Sequence, residues 1–142
     1  MKVISLLQPW ASLVILNAKQ WETRSWGTTH RGLLGIHASA KKPSRREKSM
    51  FEQDPNFKKF IPDTDLLPYG ALIGKTTLTD VYDTTWVLQN RELFPEYNWQ
   101  NEFAFDDFSP NRFAWQLKNI TPLKHFLPMK GTLGLWEYNG II

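Results

Sequence analysis

The sequence contains no cysteine, which excludes disulfides, thiolate zinc sites and cysteine nucleophiles and leaves the redox compartment open. Histidine is scarce, at three in 142 residues. Neither His-x-His nor His-Glu-x-x-His occurs, so no metal-ligand spacing is present. There is no GxGxxG and no Walker pattern, and the reading is therefore of a chain without cofactor or metal. No stretch approaches the ~20 apolar residues of a membrane helix. Nothing at the N-terminus reads as a signal peptide, because Lys2 precedes only a short apolar run that Gln8-Pro9 breaks. Internal repeats and low-complexity tracts are missing as well. These absences lead us to expect a soluble, intracellular (cytoplasmic) protein without a membrane partner. They leave its oligomeric state open.

What is present fits one domain over residues 1–142, with 42% hydrophobic and 22% charged residues, ordinary values for a globule able to bury a core. Charge is unevenly placed behind a net +3. Through residue 70 there are eleven Lys and Arg against six Asp and Glu, and beyond it six against eight. Between Lys19 and Lys48 eight basic residues meet two acidic ones. Such a concentration is the electrostatic footprint of a polyanion partner, although a solvated helix face has the same composition.

Local patterns predict the elements. Val3–Leu7 is a short strand, followed by a helix that Pro9 opens, where a missing N–H costs nothing. Trp10, Leu13 and Val14 give that helix a buried stripe, and Asn17 suits its left-handed cap. Lys19–Trp26 alternates as a strand, with Trp21 and Thr23 on one face and Glu22, Arg24 and Trp26 on the other. Leu33–Ser39 is a third strand, ending in a basic run. Ser44 and Glu47 have capping-box spacing for a helix that buries Met50 and Phe51 and ends at Asp54-Pro55. Residues 55–70 read as a loop. Ala71–Tyr82 is a strand with a bulge or a close backbone approach at Gly74. Residues 83–111, aromatic and acidic, read as an elaborated loop with one helical turn, packed on the sheet or stacked on bases. Phe113–Ile120 and Thr132–Tyr138 complete the strands. Five or six strands with two or three short helices and no βαβ rhythm imply an α+β domain around a small mixed barrel.

The order Gln8-Pro9-Trp10-Ala11-Ser12-Leu13, Lys19, Glu22, Arg24-Ser25-Trp26, Arg31-Gly32, His37-Ala38 and Ala40-Lys41-Lys42-Pro43 resembles the ASCH (activating signal cointegrator homology) domain. The resemblance resumes at Tyr69–Gly74 with Asp80-Val81, at Phe113–Lys118, and at Lys130-Gly131 with Gly134-Leu-Trp136. It implies a fold like the PUA pseudo-barrel, an RNA-binding architecture, with the Lys-x-x-Glu-x-Arg segment lining a cleft between the first helix and the barrel. RNA is then the expected partner. Candidate contacts are Trp10, Lys19, Glu22, Arg24, Trp26, His37, Ser39, Lys41, Lys42, Arg45 and Arg46. Trp26 leads as a stacking residue, and Lys41, Lys42, Arg45 and Arg46 suit phosphates.

Two enzymatic readings and one interaction reading accompany this one. Some small relatives are amidohydrolases of N4-acetylcytidine that use a Lys, a Thr and a Glu. This chain keeps Lys19 but has Glu22 at the Thr position, with Thr23 aimed at the opposite face. RNA cleavage, known for some family members, needs a base, an acid and a cation. Glu22, His37, Lys19, Arg24 and Lys42 supply those types. In either enzyme Lys19 and Glu22 are the catalytic candidates, whereas a single strand histidine is more often structural. A protein-interaction module is the third reading, should residues 83–111 expose a large apolar patch.

Overall fold

Chain reversals shape the N-terminal half. Strand β1 (Lys2–Leu6) leads through Pro9 into the one-and-a-half-turn helix α1 (Trp10–Ile15). The Gln8 side chain braces the start of this helix, accepting from the Ser12 N–H and donating to Ser12 Oγ and the Pro68 carbonyl. Asn17 then takes a left-handed conformation (φ 61°), the reversal expected of it. The chain returns as β2 (Trp21–Arg24) and, after Gly32 at φ 107°, as β3 (Gly32–Ala38). This computed structural model describes residues 1–142.

Six strands form one curled sheet in the order β2-β5-β4-β3-β1-β6, where β4 is Ala71–Asp83, β5 Phe113–Pro128 and β6 Leu135–Glu137. Only β1 and β3 pair in parallel, placing Ser5 beside His37 and Leu6 beside Ala38. The register of β4 shifts at Gly74 against β5, and a Cβ on Gly74 would collide with Ile15 of α1. Bulge and close approach therefore coincide there.

Helices are more numerous than the sequence suggests. Helix α2 (Arg45–Gln53) carries the expected capping box, with Ser44 and Glu47 satisfying each other's backbone N–H. Of its two apolar residues only Phe51 is buried; Met50 is 61% exposed because the helix rests on the domain by a single edge. Residues 55–70 are not a plain loop. Asp54 caps α3 (Pro55–Phe60), with Pro at its first turn, and a 3-10 turn follows at Thr64–Leu66. Residues 83–111 hold α4 (Thr84–Gln89), a 3-10 turn (Arg91–Leu93) and α5 (Trp99–Phe105). Asp83 and Asn98 cap α4 and α5.

Three apolar clusters hold the layers together. The main core joins α1 to the inner face of β1, β3, β4 and β5, and the fully buried Trp115 belongs to it. A second binds α1 to α2, α3 and α5 through Leu13, Phe51, Phe57 and Phe105. The third seats Trp21 among Phe94, Tyr97 and Phe108, so the aromatics of the long excursion pack back on the sheet. No helix is long and apolar enough to cross a membrane.

Candidate functional site

The reversal at Asn17 sends the Lys19 side chain inward, where it is 0% exposed. An ammonium has three protons and no lone pair, and Lys19 donates to the Trp21 carbonyl, to Glu22 Oε1 at 2.7 Å and to Asp106 Oδ2 at 2.8 Å. Burial by itself would lower the Lys19 pKa, but Asp106 and then Glu22 outweigh it and hold Lys19 well above the ordinary lysine range. Asp106 also accepts from the Thr23 backbone N–H at 2.9 Å and the Thr23 hydroxyl at 2.6 Å. Lys19 thereby bridges both carboxylates from within.

Glu22 turns its second oxygen to Arg24, with Oε2 2.9 Å from Nε. Nε finds no aligned acceptor, so this is an ion pair rather than a directed hydrogen bond. Arg24 Nη2 donates to the Ser5 carbonyl at 3.1 Å, and Nη1 has no partner. The Arg24 side chain, 28% exposed, lines a cavity of about 160 Å³ together with Leu6, Leu7, Trp10, Glu22 and Asp106.

Trp10 is where three cavities meet. Its indole N–H donates to the Phe105 carbonyl at 2.7 Å, which fixes the ring between the polar cavity and an apolar groove of about 510 Å³. Met50, Phe51, Phe57 and Phe105 form most of the groove's walls, with Glu47, Asp106 and Asp107 at its edge. A third, shallow cavity joins Leu7 and Trp10 to Lys41 and Lys42. Lys41, Lys42, Arg45 and Arg46 are exposed and form no ion pair. Lys48, by contrast, is tied to Glu52, Asp63 and Asp65. No cluster of His, Asp and Glu side chains suits a metal ion.

The predicted residues thus separate into three groups. Trp10, Glu22, Arg24, Lys41 and Lys42 line two adjoining cavities that share Leu7 and Trp10, together the Trp10 hollow, with Arg45 and Arg46 on the neighbouring helix α2. Lys19 lies beneath it, out of a ligand's reach. Trp26 lines none of the cavities, since β2 ends at Arg24 and strand parity does not extend to residue 26. Its ring packs edge-on against Trp115 at 5.0 Å. His37 and Ser39 lie across β1 in a separate cavity. Sequence reasoning missed Leu7 and Asp106, and Asp106 stands more than eighty residues from its partners with no local signal to mark it.

This architecture can be set beside known proteins. The family profile described as the ASCH domain matches residues 4–124, across the cavities just described. The chain belongs to the ASCH domain family. It is 33% identical over 141 residues to activating signal cointegrator 1 of Homo sapiens and 30% identical to that of Mus musculus. Each alignment covers 98% of this chain and 22% of the relative, so the chain spans about a fifth of the length of these proteins. The crystal structure of ASCH from Zymomonas mobilis superposes with a TM-score of 0.51 at 15% identity, over 89% of this chain and 72% of that one. That likeness concerns the fold. Within this ASCH domain, the Lys-x-x-Glu-x-Arg segment supplies a buried bolt (Lys19), a bridge (Glu22) and an outward-facing guanidinium (Arg24).

Proposed function

We propose that this ASCH domain binds nucleic acid, RNA in the first place, in the hollow around Trp10 between α1 and the sheet. The observation that carries this is the run of four exposed, unpaired cations beside a cavity where Glu22 and Asp106 already face Lys19 and Arg24. Lys41, Lys42, Arg45 and Arg46 suit phosphates, which position a strand without reading it. Arg24 Nη1 offers a donor for an oxyanion or a base edge. Trp10, half-buried where the cavities meet, offers an aromatic surface against which a base can pack. RNA is preferred to DNA because the resemblance to PUA-like barrels implies it.

Binding is better supported than catalysis at this place. A catalytic lysine needs a free proton or lone pair at the reacting atom, and Lys19 has neither. Thr23 is engaged with Asp106 and Arg112, which leaves no free nucleophile beside Glu22.

The test is fluorescence anisotropy with a labelled mixed-sequence RNA oligonucleotide in EDTA, with product size followed in the same samples. Arg24→Ala and Trp10→Ala are expected to weaken binding about tenfold each, near 1.4 kcal/mol, and the RNA is expected to remain intact. Native affinity in both variants would move the site elsewhere. Cleavage lost in Glu22→Gln would make the hollow an active site.

A further inference from the structure

The cavity that contains His37 lies on the far side of β1 and differs in kind from the Trp10 hollow. It measures about 320 Å³ and is lined by Ser5, His37, Ser39 and Ala40 and by the segment Lys130–Leu133. Alone among the five cavities it combines a cationic side chain with no carboxylate. Lys130 forms no ion pair and no side-chain hydrogen bond. The backbone N–H groups of residues 130–133 have no acceptor within the chain, since the neighbouring bonds stop at Met129 N–H on the Gly70 carbonyl.

The wall behind these donors is rigid. The Met129 carbonyl can only accept, so His37 Nε2 donates to it, at 2.8 Å. Nδ1 then accepts from the Ser5 hydroxyl at 2.9 Å, and Ser5 Oγ accepts from the Trp136 indole N–H at 3.2 Å. Both ring nitrogens are occupied, which makes His37 a support rather than a free base. Gly131 lies so close to this pair that a Cβ there would collide with the Ser5 hydroxyl and the His37 ring. Glycine lets the main chain settle on the wall. Ser39 Oγ accepts from the Lys41 N–H at 3.3 Å, leaving its own proton free.

We propose that this cavity is a phosphate subsite. Lys130 supplies the charge, and the Ser39 and Thr132 hydroxyls and the backbone N–H groups of the 130–133 segment supply directed donors, the groups that contact phosphate oxygens in nucleic-acid complexes. Its phosphate belongs to the strand held in the Trp10 hollow, so the proposal rests on that reading. Ser5 joins the two sites: its carbonyl holds Arg24 on one side and its hydroxyl holds His37 on the other.

Amide shifts of the 15N-labelled full chain provide the test, with inorganic phosphate and a single-stranded oligoribonucleotide titrated separately at constant ionic strength. Phosphate is expected to shift the amides of Ser39 and residues 130–133 saturably. The oligonucleotide is expected to shift the same amides together with the Trp10 indole. Lys130→Glu, at an exposed position without partners, should abolish the phosphate response. It should also lower the magnitude of the log K against log salt slope for RNA by about 0.7, one single-strand phosphate contact. Unmoved 130–133 amides with both probes, or a Lys130→Glu response equal to the native one, would overturn the subsite. Oligonucleotide shifts confined to Trp10 and its neighbours would overturn it too, while sparing the hollow. A saturable phosphate response with no oligonucleotide response at either place would overturn the strand as the source of this phosphate, together with the reading of the hollow.

Discussion

Lys19 is a ligand-contact and catalytic candidate in the sequence, and the structure buries it completely beneath the hollow. Its spacing to Glu22 and Arg24 is visible in the sequence, and the ion pair between Glu22 and Arg24 follows from their shared strand face. Its second carboxylate is not visible there, because Asp106 reaches it from an excursion whose fold depends on Trp21 and other distant partners. The consequence is energetic. Removing the cation from a buried ion cluster leaves carboxylates uncompensated, which typically costs ~3–5 kcal/mol. Lys19→Met is therefore expected to lower the urea midpoint sharply, and by more than Arg24→Ala, which removes a partly exposed partner of Glu22 and leaves Lys19 in place. A Lys19→Met variant of native stability would contradict the structural role. Trp26 departs for another reason. Alternation gives it a face that the strand does not reach, and Trp10, at the start of a helix, takes the central place instead.

Among the elements, those specified by short-range chemistry were legible. The Ser44–Glu47 capping box, the Asn17 reversal, the β-branched strand β4 and its irregularity at Gly74 all lie within a few residues of their signals. Helices α3, α4 and α5 were not, beyond the one helical turn expected within 83–111: they are as short as α1 but lie among proline and acidic clusters that read as loop. Their stability comes from packing rather than propensity. Helix α5 makes this dependence measurable. Its Glu102 is buried and accepts from the Gln20 N–H at 2.9 Å and the Trp21 N–H at 3.1 Å, fastening the helix to the start of β2. Burial pushes the Glu102 pKa up to about 7, against the opposing pull of Lys19 and these two donors. A carboxyl with a raised folded pKa binds its proton more tightly folded than unfolded. Its contribution is present below the unfolded value near 4.5 and is lost as pH rises through about 7. Stability attributable to this group thus falls over that interval, each pH unit between the two pKa values being worth ~1.4 kcal/mol. Glu102→Gln keeps one acceptor for two N–H donors, so it is expected to be less stable at acid pH, by ~1–3 kcal/mol, a deficit that shrinks as pH rises toward 7. Its urea midpoint should also lose that downward trend with pH. A native midpoint that rises over this interval relative to Glu102→Gln would contradict the assignment.

For the molecule as a whole, the fold class and the basic half were legible, and the division of the surface was not. The sequence yields a single list of candidate contacts from Trp10 to Arg46, His37 and Ser39 among them, with no sign of how they divide in space. Strand β1 instead separates the Trp10 hollow from the His37 cavity, a consequence of the parallel β1–β3 pairing that puts Ser5 between Arg24 and His37. The central claim is that the four unpaired cations at the start of α2 and before it hold the phosphates of a strand. The direct test measures RNA affinity across a salt series in EDTA for the native chain and for a variant with Lys41, Lys42, Arg45 and Arg46 all changed to Ala. Each phosphate contact contributes a slope of about −0.7 for single strands. The variant should therefore bind more weakly and lose up to about 3 units of slope. A variant with the native affinity and the native slope would contradict the claim and place the polyanion on another face.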